Sequence, residues 1–267
     1  MALYTRQDEI NRAVYNARGV YRYYLSNTLT PPETACLLKY QPHISGRDVL
    51  DIGVGAGRTT RYLAPLARRY EAIDISPVMV DYLKGAIQGI RVHLADFGDL
   101  GIFGDRSFDF ILATDNVIDA VSHENRLEAL REASRVLRKG GIMALSSHNI
   151  HYKNAFSGPK LSWSSDPARF AKNCARYAVS MWNHVRVAPL RQTSAEYALL
   201  NDPGHFYACL HYYSSRSTLS SQLSAAGMRL IDAFDIDGQA IGEHEDDSRN
   251  PSLFYVAELI PQSQPAG

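Results

Sequence analysis

Residues 48–63, DVLDIGVGAGRTTRYL, constrain the fold of this chain more than any other stretch. An apolar run carrying one acid, Asp51, meets three glycines at alternate positions, Gly53, Gly55 and Gly57. Glycine has no Cβ, so such a loop can take left-handed φ values and bring backbone N–H groups against a ligand. In open α/β sheets, nucleotide-like ligands sit at this point, outside the carboxyl ends of the strands. A tight turn also needs glycine, so the triplet alone leaves both readings open.

The surrounding pattern repeats the strand-to-helix step. RDVLDIG reads as a strand buried on both faces, and a helix begins near Arg58, which Pro65 must kink or end early. YEAIDIS is a second strand, PVMVDYLKGAI a helix with Pro77 at its start, IRVHLADF a third strand and FDFILATDNV a fourth. In ENRLEALREASRVLRKGG, Leu127, Leu130, Ala133 and Leu137 share one helical face, with Gly140 and Gly141 expected to stop it. GIMALSSHN is a fifth strand. Alternation over residues 48–149 indicates a parallel sheet with helices on both faces.

Outside this span the rhythm changes. Residues 8–27 look helical without a clean apolar stripe, in a region crowded by Tyr4, Tyr15, Tyr21, Tyr23 and Tyr24, and PPETACLLKY is a second short helix. Residues 151–214, rich in His, Tyr, Trp and Arg, read as an insertion. A helix near 217–226 follows, and GMRLIDAFDI and SLFYVAELI look like a closing antiparallel pair. The expected division is an N-terminal helical segment 1–45, a core 46–150, an inserted cap 151–214, and 215–260 as the end of the core sheet.

A length of 267 residues suits one large domain, or a core with an elaborate insertion. The formal net charge is zero, which gives nucleic acid no electrostatic claim on the whole chain. Cys36, Cys174 and Cys209 are sparse and far apart, as reduced thiols in the cytoplasm would be. MALYTRQDEINRAVYNARGVY is too polar for a signal peptide, no apolar run reaches about eighteen residues, and PQSQPAG reads as a frayed tail.

Two further acids sharpen the glycine loop. Asp74 ends the second strand, 17 residues after Gly57, where an acid can accept both hydroxyls of a ribose. Asp96 ends the third, where an acid can meet an adenine amino group. Each has a plainer role, Asp74 as a cap for the helix at Pro77 and Asp96 as a turn residue before Gly98. Together, at the ends of successive strands, they favour a nucleotide-type cofactor. The loop reads GxGxG where a dinucleotide fingerprint reads GxGxxG, and Asp51 sits two residues before Gly53. A carboxylate there repels a pyrophosphate and suits the ammonium of S-adenosylmethionine, which carries no phosphate.

These segments resemble the class I S-adenosylmethionine-dependent methyltransferase family. LDIGVGAG matches its first motif, AIDIS the second-strand acid, ADF the third-strand acid, FDFILATDNVI the fourth strand, and REASRVLRKGGIMALSS the helix and fifth strand. The resemblance is to the subgroup acting on small molecules, with a cap inserted after the fifth strand. It implies a Rossmann-like α/β fold with a seven-stranded, mostly parallel sheet and an antiparallel last strand. It places Asp51 and Gly53 near the methionine part of the cofactor and Asp74 on the ribose. Ile75, Met79, Asp96 and Phe97 would surround the adenine, with Thr114 contributing from the fourth strand.

Methyl transfer from a sulfonium needs positioning, water exclusion and, for some acceptors, a base. His148, at the end of the fifth strand, is the candidate base, with His151 beside it. In GHFYACLHYYS, strand alternation would put Tyr207, Cys209, His211 and Tyr213 on one face, lining an acceptor pocket or packing a small core. Tyr21 and Tyr24, three apart, could share a face of an N-terminal lid. The histidines lack the dense spacing of a metal site, and no metal is expected. The expected acceptor is a small molecule, methylated at nitrogen or oxygen with S-adenosylhomocysteine as product. An RNA or protein acceptor, or binding without turnover, are the alternatives. The insertion is basic and residues 232–247 are acidic; the cations could attract an anionic acceptor, face solvent, or pair with that acidic stretch.

Overall fold

The computed structural model describes residues 5–17, 19–25 and 28–260. Tyr4, the 261–267 tail and parts of the 8–27 helical expectation lie outside the described residues. Helix α1 (Arg6–Tyr15) is held by a capping box between Thr5 and Asp8. Gly19, at φ +79°, then turns the chain into a short 3₁₀ turn, Val20–Tyr24, so no single helix runs to residue 27. A second capping box, Thr30 with Glu33, starts α2 (Pro31–Lys39).

The core alternates β1 (Asp48–Ile52), α3 (Thr60–Leu63), β2 (Arg69–Asp74), α4 (Pro77–Ala86), β3 (Arg91–Leu94), β4 (Phe108–Ala113), α5 (His123–Val136) and β5 (Leu137–Asn149). Helix α3 is one turn long, as Pro65 requires. Beyond β5 come α6 (Pro167–Val187), β6 (Gln192–Thr193), β7 (Tyr197–Leu200), β8 (His211–Ser214), α7 (Arg216–Ala225), β9 (Met228–Phe234) and β10 (Ser252–Leu259).

Seven strands, in the order β3-β2-β1-β4-β5-β10-β9, form the expected open sheet; β1 to β5 are parallel, and β10 is antiparallel to both β5 and β9. Side-chain alternation splits β1 between two apolar layers. Leu50 and Ile52 pack with Ala129 and Leu130 of α5 and Leu219 of α7, whereas Val49 packs with Cys36 of α2 and Leu83 of α4. No helix among the described residues is long and apolar enough to cross a membrane.

The structure corrects four expectations. Helix α5 ends at Val136 because Arg106 and Ser107 donate to the Arg135 and Val136 carbonyls; Leu137 already pairs with Phe108. Gly140 and Gly141 therefore shape the start of β5, where a Cβ on Gly141 would lie 2.9 Å from the Arg138 carbonyl. Secondly, α2 belongs to the core, since Cys36 is wholly buried there, so residues 1–45 are not one lid. Thirdly, the insertion is not separate from the sheet. Its β8 pairs in parallel with His148 and Asn149 of β5 and antiparallel with β7, and the whole sheet has ten strands. Because Ser252 of β10 already pairs with His148, β8 takes the other edge, the one β4 leaves after Leu145. Finally, residues 204–207 are a tight turn and not a strand: His205, Phe206 and Tyr207 are all left-handed (φ +48°, +55°, +64°).

Candidate functional site

The glycine loop leaves β1 over the carboxyl end of the sheet, and its three glycines have different physical duties. A Cβ on Gly53 would sit 2.4 Å from Val117, and one on Gly57 would sit 2.4 Å from Leu83 of α4. Those two positions need close backbone packing. A Cβ on Gly55 would meet nothing nearer than 3.9 Å. Gly53 and Gly55 line a cleft; Gly57 does not, and its place in the motif is the loop's seat on α4.

Asp74 organises the loop. Its Oδ2 accepts from the Gly55 N–H at 2.8 Å and its Oδ1 from the Ser76 N–H at 2.8 Å. Burial raises its pKa, against which these backbone donors work. Each carboxylate oxygen has two lone pairs, so both can accept a further hydroxyl. The cleft wall continues through Ile75, Met79, Asp96, Phe97 and Thr114, all named from sequence. Asp96 also serves its plainer role, since its Oδ1 accepts from the Gly98 N–H at 2.9 Å.

Asp51 departs from expectation. Its carboxyl lies behind the loop, 1% exposed, where Oδ2 accepts from Thr59 Oγ1 at 2.6 Å and Tyr70 OH at 2.7 Å. It is absent from the cleft wall, and Thr59 stands there instead. Burial pushes its pKa up to about 6.

A second cleft opens beside the first, and Tyr15, Tyr24, Arg58 and Asp115 line both. Arg58 is tied to Glu33, and its Nη2 lies 3.3 Å from Asp115. His148 faces the second cleft. Asp119, wholly buried, accepts from the His148 backbone N–H at 2.6 Å and lies 2.8 Å from His148 Nδ1. Burial opposes the charge on Asp119, but the buried guanidinium of Arg126 and the ring of His148 hold its carboxyl below the usual range. The other ring nitrogen, Nε2, lies 3.3 Å from Asn116 Nδ2 and 3.6 Å from Asp202 Oδ2; in the neutral tautomer with Nδ1 donating to Asp119 it would be the accepting atom. Asn116 Oδ1 is buried with no hydrogen-bond partner. Asp115 and Asn116 both adopt left-handed backbone (φ +55° and +56°), strain concentrated where β4 delivers its side chains to the clefts.

The ring of His148 stacks on His211 (5.1 Å) and Tyr213 (4.7 Å), the two same-face residues of β8. Asp202 ties that face together: its Oδ2 lies 2.7 Å from His211 Nδ1 and accepts from Tyr213 OH at 2.9 Å. Burial would raise the Asp202 pKa and lower that of His211, but the two charges outweigh it: His211 holds Asp202 far down and Asp202 lifts His211. His211 Nε2 meets Tyr15 OH at 3.2 Å, so this ion pair orients a hydroxyl at the junction of the two clefts. His148, Asp202 and His211 could offer a metal three ligand atoms within 4.8 Å of one another. A metal would have to displace the 2.7 Å contact between His211 and Asp202.

Other expected acceptor residues separate. Tyr207 lines the second cleft, placed by the left-handed turn. Tyr24 OH lies 2.6 Å from His205 Nε2 inside the site, whereas Tyr21 stacks on Tyr82 of α4 at 4.7 Å and lines neither cleft. His151 is turned away, 3.3 Å from Asp247. Tyr15, Asn116, Asp119 and Asp202 join the site without a sequence signal of their own, whereas His205 lies in the GHFYACLHYYS segment already singled out. The crowding of tyrosines before residue 25 hinted at Tyr15 only as one of a group.

Residues 50–145 match the model of a methyltransferase domain. The demethylmenaquinone methyltransferase of Tropheryma whipplei (strain Twist) is 36% identical over 105 residues, 38% of this chain and 41% of that protein. The cypemycin N-terminal methyltransferase of a Streptomyces species is 29% identical over 138 residues, 50% of this chain and 56% of its own. The chain thus spans about half the length of these curated relatives. Over nearly the full chain the fold is that of the CcbJ methyltransferase from Streptomyces caelestis (TM-score 0.62, 16% identity, 93% of this chain and 98% of that one). It is likewise that of the Burkholderia thailandensis 1,6-didemethyltoxoflavin-N1-methyltransferase, solved with 1,6-didemethyltoxoflavin and S-adenosylhomocysteine (TM-score 0.58, 15% identity, 98% and 93%).

Proposed function

We propose, starting from the methyltransferase domain model that residues 50–145 match, that this chain is an S-adenosylmethionine-dependent methyltransferase that methylates a nitrogen or oxygen of a small molecule held in the second cleft. The observation that carries this reading is the shared wall: Tyr15, Tyr24, Arg58 and Asp115 bound both clefts, so a donor in one and an acceptor in the other would meet. The relative named for demethylmenaquinone and the structure holding 1,6-didemethyltoxoflavin support a small-molecule acceptor.

S-adenosylmethionine brings an already activated methyl group, and S-adenosylhomocysteine is what remains of it. The protein's work is to hold, orient and exclude water. Asp74 would take the ribose hydroxyls, with Ile75, Met79 and Phe97 against the adenine, Asp96 beside it and Thr114 at the end of β4. Gly55 would give its open side to the ligand. Asp51 would act on the methionine end only through Thr59. The α1 segment and the turn at residues 20–24 would close the site.

On the acceptor side, His148 Nε2 would receive the proton released on attack, with Asp119 stabilising the imidazolium that forms. Asn116 Oδ1, lacking a partner, would accept a hydrogen bond from the acceptor's N–H or O–H. His211, Tyr213 and Tyr207 would frame it, and Tyr15 would direct its hydroxyl between the two ligands.

Calorimetry with S-adenosylhomocysteine tests the cofactor half. Asp74→Ala should weaken binding by about 1–3 kcal/mol, the worth of hydrogen bonds to a charged group. Unchanged affinity would remove the ribose assignment. Methyl release over a panel of metabolites tests the acceptor half. In that assay His148→Ala should lower turnover while retaining cofactor affinity, and full activity in the variant would leave positioning as the whole mechanism.

A further inference from the structure

Helix α6 carries a feature that methyl transfer does not use. Its 21 residues, PARFAKNCARYAVSMWNHVRV, contain no acid. Only Val187 is buried, and the face toward the protein rests chiefly on the turn at residues 204–207. On the outward face, Ala171, Ala175, Ala178, Trp182 and Val185 recur at i, i+4, i+7, i+11 and i+14, one continuous stripe with Val179 alongside. All six are exposed, Trp182 at 71%. Arg169, Lys172 and Arg176 run beside the stripe and Arg186 stands at its end. None of these four cations has a carboxylate partner among the described residues, and the acidic stretch does not supply one: Asp232 pairs with Lys39, Asp235 with Arg249 and Asp247 with His151. The approach to α6 adds Trp163, 76% exposed, and Phe156 and Leu161, also exposed.

We infer that α6 and its approach segment form a docking face for an anionic lipid surface. An apolar stripe bearing a tryptophan, flanked by unpaired cations with no acid between them, is the composition of a helix lying in a membrane interface. Tryptophan is suited to that boundary because its ring is apolar and its N–H polar. The charge identifies the occupant: a neutral apolar partner would leave the row of cations without counter-charge, whereas anionic headgroups supply it. The helix would lie on the surface, consistent with the absence of a spanning helix among the described residues. Asn173, Tyr177 and Ser180 of α6 line the second cleft from the opposite side of the helix, so the stripe can dock without covering the cleft.

Trp182 stands in the stripe and Trp163, the other tryptophan of the chain, is exposed in the approach segment, which makes intrinsic fluorescence a direct reporter. The full chain is titrated with vesicles of phosphatidylglycerol and phosphatidylcholine, and separately with phosphatidylcholine alone. The expected result is a blue shift of tryptophan emission and co-sedimentation with the anionic vesicles only, weakening as salt is raised. Trp163→Phe, which isolates Trp182, should retain the shift. Lys172→Gln and Arg186→Gln should each lower partitioning about fivefold, and Trp182→Ser should lower it further. These side chains are exposed, and circular dichroism verifies that the variants fold. Three results would overturn the inference: no binding to anionic vesicles, equal binding to neutral ones, or a blue shift that appears with protein concentration alone. The last would assign the face to a second copy of the chain.

Discussion

Asp51 makes a quantitative claim about stability, tested by Asp51→Asn. In the folded chain its carboxyl is buried behind the glycine loop, which pushes its pKa up to about 6 even though Thr59 and Tyr70 donate to it. In an unfolded chain the value returns to about 3.9. The group binds its proton more tightly when folded. Its contribution to stability is therefore complete below about pH 3.9 and is lost as pH rises through about 6. The difference between the two values corresponds to about 3 kcal/mol. Asparagine never ionises and keeps a carbonyl for the same two hydroxyls. The stability of the variant minus that of the parent should therefore rise by about 3 kcal/mol between about pH 4 and pH 7. Urea unfolding of both proteins across that range, followed by circular dichroism, measures it, and taking the difference cancels every other titrating group. A difference that stays constant with pH would refute the reasoning, because it would mean that Asp51 ionises in the folded chain as readily as in water.

Asp119→Asn should cost about 3–5 kcal/mol of stability in urea, since it leaves the wholly buried Arg126 without its counter-charge. In the Asp119→Asn background, Arg126→Met should cost far less than it does alone. Additive costs would show that the two are not coupled. Gly55 and Gly57 are both left-handed (φ +54° and +81°), but an alanine Cβ at Gly57 would lie 2.4 Å from Leu83 whereas one at Gly55 meets nothing nearer than 3.9 Å, so Gly57→Ala should lower the thermal midpoint more than Gly55→Ala. Calorimetry should show the reverse order for loss of S-adenosylhomocysteine affinity, and equal effects in both assays would dissolve the division of labour among the glycines.

Much of the first cleft's wall was legible because its residues follow strand ends. Asp74, Ile75 and Met79 after β2, Asp96 and Phe97 after β3, and Thr114 after β4 reach one wall. In a parallel sheet the chain position of a strand end fixes its place in space. Helix α1 was harder to read because its buried face is polar. Gln7 and Asn11 donate to the Leu210 carbonyl, Asn11 accepts from the Leu210 N–H, and Asp8 accepts from Ser122 and Asn125. A search for apolar periodicity passes over a helix anchored this way. The second cleft was least legible: Asp202 and His211 meet only because a left-handed turn folds β8 back toward β7, and Asp119 reaches His148 across 29 positions of chain.

The sequence alone determined the alternating sheet, the glycine turn and the row of acids above it, because periodicity, turn chemistry and strand order are local properties of the chain. Only the tertiary structure decided which groups face the clefts. It sent Asp51 inward, turned Tyr21 and His151 away, and gathered Tyr15, His148, Asp202 and His211 from distant segments. The direction of a side chain depends on which neighbours fill the space around it, and those neighbours are set by long-range packing that no local pattern encodes.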